Sequence, residues 1–189
     1  DAGDCLSGNC VDGFCCDSAC NGTCEACDLA GIEGICAPIP LGQDPANECA
    51  NGACNGTFVC AADTGQICGA NSDCLTGNCV DGFCCDGACA GGCEACSAAK
   101  TGGTDGICDF VSSATDPDDE CSDGACNGTG LCIADDGQAC ATGDDCLSGS
   151  CVDGVCCDTA CDGTCEACDL PGSEGVCTLV PLQNDPDDE

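Results

Sequence analysis

The sequence lacks most of the residues from which hydrophobic cores and catalytic sites are built. It has no His, Trp, Tyr or Met, only four Phe, and a single basic residue, Lys100, against 35 acidic ones. Leu, Ile, Val and Phe together supply 27 of the 189 residues, which is below the roughly 20% at which a highly charged chain is expected to be disordered. An ordinary hydrophobic core is therefore excluded. Another interaction must offset the roughly 1–2 kcal/mol of backbone entropy that each residue loses on folding.

The same absences exclude several classes of function. The chain has no His or Arg, and its carboxylates lie on loops without an apolar pocket, so we predict that it is not an enzyme. A formal charge of −34 repels nucleic acid and anionic membranes and favours divalent cations as partners. No apolar run approaches the 18–20 residues of a membrane span. We therefore predict no nucleic-acid partner, no membrane span, and no cofactor other than Ca²⁺.

Cysteine is the one abundant residue that can stabilise such a chain. Its 32 cysteines are about 17% of the residues, a content typical of disulfide scaffolds. Each bridge contributes roughly 2–4 kcal/mol, mainly by restricting the unfolded chain. Disulfides persist only in an oxidising compartment, so we predict an extracellular or cell-surface location. The sequence shows no export signal and does not begin with Met, and we expect a mature product or an internal fragment.

The chain is one unit copied about three times. Asp4–Asp17 recurs almost unchanged at Asp73–Asp86 and at Asp145–Asp158. This periodicity is typical of repeat proteins and predicts three repeats, at residues 1–67, 68–139 and 140–189. The central copy is complete, with twelve cysteines: Cys68, Cys74, Cys79, Cys84, Cys85, Cys89, Cys93, Cys96, Cys108, Cys121, Cys126 and Cys132.

The repeat spacing places the next cysteine after Cys177 at position 190. It places the counterpart of Cys68 two residues before Asp1. We therefore expect either that the protein is longer or that successive chains meet at this seam.

Local patterns predict the structure within a repeat. The motif Cys-x-Asp/Asn-Gly-x-Cys favours a β-hairpin with a type I′ turn. It occurs five times, at Cys10–Cys15, Cys49–Cys54, Cys79–Cys84, Cys121–Cys126 and Cys151–Cys156. The adjacent cysteines of Cys15-Cys16 and its two counterparts should bridge to two different neighbours, because consecutive strand residues face opposite ways. The spacing of Cys24–Cys27 indicates a helical turn, N-capped by Thr23.

These signals predict the fold class. We expect small disulfide-rich repeats, mostly irregular with short β-hairpins and with little or no helix. We expect the repeats to form a linear, rod-like array in which contacts join adjacent units.

Two kinds of metal site can be weighed. Acidic clusters supply the oxygen ligands that calcium prefers, and the alternative is a solvated acidic face that maintains solubility. The candidate calcium residues are Asp116, Asp118, Asp119, Glu120, Asp185, Asp187, Asp188 and Glu189. A thiolate zinc site is disfavoured, because such sites use paired Cys-x-x-Cys motifs and each copy has only one, such as Cys24–Cys27.

Three Asn-Gly-Thr sequons are candidate N-glycosylation sites, at Asn21, Asn55 and Asn127. Asn-Gly is also the dipeptide that a tight turn requires. Asp162 replaces the first sequon's Asn in the third copy, which favours the turn interpretation.

The segment Cys5–Asp28, through its three copies, resembles cysteine-rich tandem repeats of large secreted or surface proteins of bacteria. The resemblance implies an extracellular surface location. The linear repeat and the missing site chemistry predict a structural protein: a disulfide-stabilised rod that associates with itself, head to tail, into a surface filament or fibre. The alternative is a spacer or stalk region of a surface adhesin or calcium-binding surface protein.

Overall fold

The structure, a computed structural model, describes residues 2–181 and consists of short paired strands joined by turns. Sixteen strands form eight antiparallel pairs, and each strand has two or three residues. The strands are β1 (Cys10–Val11), β2 (Phe14–Cys15), β3 (Glu25–Ala26), β4 (Ala37–Pro38), β5 (Gly52–Cys54), β6 (Cys60–Ala62), β7 (Cys79–Val80), β8 (Phe83–Cys84), β9 (Glu94–Ala95), β10 (Asp109–Phe110), β11 (Gly124–Cys126), β12 (Cys132–Ala134), β13 (Cys151–Val152), β14 (Val155–Cys156), β15 (Glu166–Ala167) and β16 (Thr178–Leu179).

Helical structure is sparse. Three 3₁₀ turns cover Ala2–Asp4, Asn71–Asp73 and Gly143–Asp145, and one short α-helix, α1, covers Ala98–Thr101. Between residues 2 and 181, no helix has the length and apolar character needed to cross a bilayer. The prediction of disulfide-rich repeats with short hairpins and little helix is confirmed.

Three of the five predicted hairpins are present with the expected turn. In the first, Val11 pairs with Phe14 across Asp12-Gly13, and both turn residues have positive φ, +52° and +82°. β7–β8 and β13–β14 have the same register. Asp and Gly are the residues that tolerate the two left-handed conformations of a type I′ turn, so the sequence determines this local structure.

The predictions of hairpins within Cys49–Cys54 and Cys121–Cys126 are wrong. Gly52–Cys54 is instead the first strand of a longer hairpin, in which Cys54 pairs with Cys60 across a five-residue loop. A Cβ on Gly52 would lie 1.9 Å from the Ala61 carbonyl oxygen. The glycine is therefore required for the close approach of two backbones rather than for a turn.

Fifteen disulfides link thirty of the cysteines. The complete central copy contains six of them: Cys68–Cys79, Cys74–Cys84, Cys85–Cys96, Cys89–Cys108, Cys93–Cys126 and Cys121–Cys132. The prediction for adjacent cysteines is confirmed, because Cys84 bonds to Cys74 while Cys85 bonds to Cys96. The two adjacent cysteines thus link one strand to the chain before it and to the chain after it.

The helical turn predicted at Cys24–Cys27 is wrong. Cys24 has a φ of +58°, which a right-handed helix does not allow, and the next two residues form β3. β3 pairs with β4, so that Ala26 lies opposite Ala37. A spacing of three residues between cysteines is therefore compatible with a tight loop followed by a strand.

The described chain divides into two compact units. Unit 1 comprises residues up to Cys89 with Cys96–Ala98 and Gly103–Cys108, and unit 2 comprises Ala90–Ala95, Ala99–Gly102 and the chain from Asp109 onward.

Each unit has a small core made largely of sulfur and methyl groups. In unit 2 the core consists of Cys93, Ala95, Val111, Cys121 and Cys126. Apart from cysteines, Ile39 in unit 1 and Val111 in unit 2 are the largest side chains with under 2% exposure. The cysteines therefore both crosslink the chain and fill its interior.

Candidate functional site

The junction between successive repeats occurs twice with the same contacts. Residues 65–68, which we call the junction strand, lie against the outer edge of hairpin β7–β8. The Gly65 N–H donates to the Cys84 carbonyl (2.8 Å), the Cys84 N–H donates to the Gln66 carbonyl (2.8 Å), and the Cys68 N–H donates to the Gly82 carbonyl (2.9 Å). An isolated antiparallel bridge joins Ile67 to Phe83 between these bonds, so the preceding chain pairs with the hairpin along this edge.

A disulfide and a parallel bridge fix the junction strand in place. Cys68 is bonded to Cys79 on the far strand of the hairpin. Ala62, at the end of β6, pairs in parallel with Cys74, and the Leu75 N–H donates to the Ala62 carbonyl (3.0 Å). Three kinds of contact thus hold the preceding repeat to the next one.

The second junction repeats the first. Its strand, residues 137–140, makes the equivalent backbone bonds to β13–β14 at 2.7, 2.7 and 3.0 Å. Cys140 is bonded to Cys151, and Ala134 pairs in parallel with Cys146. Two independent copies of one junction show that the repeat carries its own means of attachment.

Carboxylates near the cysteines accept hydrogen bonds from backbone N–H groups. Asp81, in the β7–β8 turn, accepts from the Cys96 N–H (2.7 Å), and Asp153 accepts from the Cys168 N–H (3.0 Å) in the same way. Glu94 accepts from the Gly91 N–H (2.9 Å). Hydrogen bonds to an ionised acceptor are worth roughly 1.5–3 kcal/mol, so these acids stabilise the loops that hold the disulfides.

Sequence reasoning did not identify this role of the acids. The available signal was their recurrence: the Asp of the turn and the Glu of Cys-Glu-Ala-Cys are identical in all three copies. Their backbone partners could not be found from the sequence. Asp81 and Cys96 are fifteen residues apart, and only the disulfide pattern brings them together.

The predicted calcium residues of the central copy lie in one loop with protein partners. Asp116 uses its two oxygens to accept from the Glu120 and Cys121 N–H groups, both at 3.0 Å. Asp118 forms an ion pair with Lys100 (Oδ2–Nζ 2.6 Å). Asp119 has a φ of +55°. The loop thus uses its acids to shape its own backbone.

Burial and two neighbouring carboxylates act together on Glu120. Desolvation, followed by the negative charges of Asp118 and Asp116, raises the pKa of Glu120, while Lys100 lowers it. A divalent cation would relieve this repulsion, so calcium binding at Asp116–Glu120 stays a prediction. Asp185, Asp187, Asp188 and Glu189 lie outside the described residues.

Sulfur clusters also occur, and they consist of adjacent disulfides. The sulfurs of Cys24, Cys49 and Cys54 lie within 4.8 Å of one another, and Cys24 and Cys49 approach to 3.5 Å. Cys24 is bonded to Cys54, and Cys49 to Cys60. Thiolates, not disulfides, are the sulfur ligands of zinc, so the oxidised cluster offers a metal no thiolate.

Two of the sequons form turns. The Asn55 side-chain oxygen accepts from the N–H and the hydroxyl of Thr57 (2.8 and 2.7 Å). The Asn127 side-chain oxygen accepts from both groups of Thr129 at 2.8 Å. These are the side-chain turns that Asn favours. Glycosylation at Asn21, Asn55 and Asn127 stays a prediction.

No protein-family model, no curated protein and no solved structure matches this chain.

Proposed function

We propose that the protein is a non-enzymatic, extracellular structural protein whose repeats join end to end in a rod, and that the rods associate head to tail into a surface fibre. The observation that supports this most directly is the repeat junction. The same three backbone hydrogen bonds, the same disulfide and the same parallel bridge occur at residues 62–84 and again at residues 134–156. In this attachment the end of one repeat binds the start of the next, so repeats can be added indefinitely.

The disulfides support the extracellular part of the proposal. Such bridges would be reduced in a cytosol, and among the described residues Ile39 and Val111 are the buried apolar side chains other than cysteine and alanine. The fold is therefore suited to an oxidising space, where covalent links replace hydrophobic burial. The resemblance to repeats of bacterial surface proteins points to the same location.

The charge supports a linear arrangement rather than lateral bundling. With a formal charge of −34, closely packed neighbouring rods would repel each other, and the repulsion is screened beyond about 8 Å at physiological ionic strength. Junctions made through backbone and sulfur avoid this cost. We therefore expect single fibres of constant width, with thicker bundles only when divalent cations are added.

Electron microscopy of negatively stained native protein tests the proposal. Long fibres of constant width, which fragment after reduction and alkylation of the cysteines, are the expected result. Isolated short rods would contradict head-to-tail assembly and favour the stalk of a larger surface protein. Compact round particles would contradict both functions.

A further inference from the structure

We infer that neighbouring disulfides in the first two repeats form thiol-exchange sites, at which a small external thiol converts one pairing of four cysteines into another. The inference concerns the chemistry of a single chain and does not depend on the proposed fibre. Each site is a cluster of four cysteines. The first cluster contains Cys24, Cys49, Cys54 and Cys60, and the central cluster contains Cys93, Cys121, Cys126 and Cys132.

In the first cluster the two disulfides are in contact. One bond joins Cys24 to Cys54 and the other joins Cys49 to Cys60. The Sγ of Cys24 lies 3.5 Å from that of Cys49 and 3.8 Å from that of Cys60. A sulfur of one bridge therefore touches both sulfurs of the other.

The central cluster has the same contacts. The Sγ of Cys93 lies 3.5 Å from that of Cys121 and 3.8 Å from that of Cys132. The Sγ of Cys121 also lies 3.9 Å from that of Cys126. A thiolate freed at Cys121 would therefore be in contact with both sulfurs of the remaining bridge, Cys93–Cys126.

Exposure determines which bridge an external thiol reaches first. Cys93 and Cys126 are each 0% exposed and Cys121 is 8% exposed, whereas Cys132 is exposed. Exchange begins when a thiolate attacks an accessible sulfur of a disulfide. The external thiol should therefore attack Cys132 and leave Cys121 as the thiolate.

In the first cluster a groove leads to the outer bridge. The groove has a volume of about 650 Å³, and its lining includes Cys49, Cys60 and Ile67. Small-molecule sites usually have volumes of about 300–1,000 Å³. The groove therefore gives a small thiol access to the Cys49–Cys60 bridge, while Cys24 and Cys54 are each 0% exposed.

The register of hairpin β11–β12 allows a second pairing. Cys126 lies directly opposite Cys132, and the Cys126 N–H points out of the hairpin to the Thr115 carbonyl (2.9 Å). The two cysteines thus form a pair without mutual hydrogen bonds, whose Cα atoms in a ladder lie about 4.5 Å apart. A disulfide spans roughly 4.4–6.8 Å between Cα atoms, so a Cys126–Cys132 bond fits the hairpin. Cys54 and Cys60 are opposite each other in the same way.

The exchange takes three steps. An external thiolate attacks Cys132, which forms a mixed disulfide and releases the Cys121 thiolate. Cys121 attacks Cys93, which forms a Cys93–Cys121 bond and releases the Cys126 thiolate. Cys126 then attacks Cys132 in the mixed disulfide, which forms a Cys126–Cys132 bond and releases the external thiolate. One S–S bond forms and one breaks in each step, so the external thiol is regenerated and there is no net oxidation or reduction.

The two pairings connect the repeat differently. In the structure Cys93, which precedes β9, is bonded to Cys126 in β11. In the second pairing Cys93 is bonded to Cys121 in the loop before β11, and a cross-strand bond closes hairpin β11–β12. Each cluster thus has two covalent forms, which contact with a thiol interconverts.

Peptide mapping of the central cluster tests the inference on the native protein. The oxidised 189-residue protein is incubated with cysteamine, a small thiol whose positive charge suits an acidic chain. It is then alkylated and digested with a protease that cleaves before Asp. In the observed pairing, the peptide of residues 123–134 stays bonded to the peptides that contain Cys93 and Cys121. We expect cysteamine to produce a free 123–134 peptide with an internal Cys126–Cys132 bond.

A pair of variants tests whether the buried bridge opens through its neighbour. Cys132→Ser leaves Cys121 as a thiol, and we expect alkylation to find free thiol at Cys126 as well as at Cys121. The matched control is the double variant Cys121→Ser, Cys132→Ser, treated with cysteamine, in which no neighbouring thiol can attack Cys93. Well-oriented groups react as if at about 10⁵ M or more, so Cys126 should be alkylated at least about 100-fold faster in the single variant.

Three results would overturn the inference. The first is that cysteamine releases no free 123–134 peptide from the native protein. The second is that the released peptide carries two alkylated thiols in place of its internal bond, which would show simple reduction. The third is equal alkylation of Cys126 in the two variants, which would show that the buried bridge opens directly. If a variant does not fold, the mapping of the native protein decides the question alone.

Discussion

Removal of the Cys93–Cys126 disulfide tests whether sulfur bridges replace a hydrophobic core. Both cysteines are 0% exposed, and their bond closes a loop with a sequence separation of 33 residues. The perturbation is the double variant Cys93→Ala, Cys126→Ala. Both partners are removed together so that no lone thiol is left to exchange with neighbouring bridges.

The size of the effect follows from loop-closure entropy. For a loop of this length the chain-entropy relation gives about 3.7 kcal/mol at 25 °C. The remaining disulfides shorten the free loop, so we expect a somewhat smaller loss of about 3–3.5 kcal/mol in the free energy of opening. Since each 1.4 kcal/mol is a factor of ten, this corresponds to exchange on the order of 300-fold faster for amides that exchange through that opening.

The matched control is Val111→Ala in the same cluster. Val111 is 0% exposed and packs with Cys93 and Cys126. Its truncation removes two methyl-sized groups, at about 0.8 kcal/mol each, and should accelerate the same amides by roughly 15-fold. Comparing the two exchange rates shows whether the bridge or the largest apolar side chain of the cluster contributes more to the free energy of opening.

Hydrogen exchange is the appropriate assay because the chain has no Trp or Tyr to report unfolding by fluorescence. The diagnostic amide is that of residue 126, which donates to the Thr115 carbonyl (2.9 Å). Amides of β1 and β2, outside the loop that the bridge closes, serve as the internal reference. If the double variant exchanges no faster at residue 126 than Val111→Ala does, the claim that disulfides provide the main stability is refuted.

Three further predictions concern glycine and acidic side chains. Gly124→Ala would place a methyl carbon 1.9 Å from a carbonyl oxygen across β11–β12 and should cost at least about 2 kcal/mol in unfolding free energy. The control is Gly92→Ala, whose methyl group would meet nothing within 4 Å and should leave the unfolding free energy unchanged. Both are measured by denaturant titration followed by hydrogen exchange. Asp116→Asn leaves one acceptor oxygen for two N–H groups and should cost about 1–2 kcal/mol, read from faster exchange of those two amides. Backbone N–H groups lower the pKa of Asp145 below its ordinary 3.8, so its stabilisation is complete above that value and is lost as pH falls through the folded pKa. The Thr142 amide should therefore exchange relatively faster in acid, and Asp145→Asn should remove that pH dependence.

The sequence determines those parts of the fold that depend on neighbouring residues. Asp12-Gly13 requires two left-handed residues and so predicts its hairpin correctly. The adjacent cysteines Cys84 and Cys85 could not face the same neighbour, and the structure bonds them to different partners. In each case the constraint acts within a few residues.

The parts that could not be predicted depend on contacts distant in sequence. Asn51-Gly52 matches the turn motif, yet the structure uses Gly52 for its lack of a side chain opposite Ala61, and a turn signal cannot distinguish these uses. The junction strand carries no strong strand pattern, since Gly65 is a poor strand former and the segment has only one β-branched residue, Ile67. Its pairing is determined by the Cys68–Cys79 bond, and disulfide connectivity cannot be deduced from spacing.

The acidic composition has a structural reason. Strands of two or three residues leave most backbone N–H groups without a partner in a ladder, and a buried N–H without an acceptor is costly. Asp81, Glu94 and Asp116 each accept from exposed or part-buried N–H groups that lie outside the ladders, at 2.7–3.0 Å. A carboxylate suits this task because both of its oxygens accept and neither donates. The disulfides hold the loops together and these acids satisfy backbone N–H groups within them, so a chain with this few apolar residues uses both.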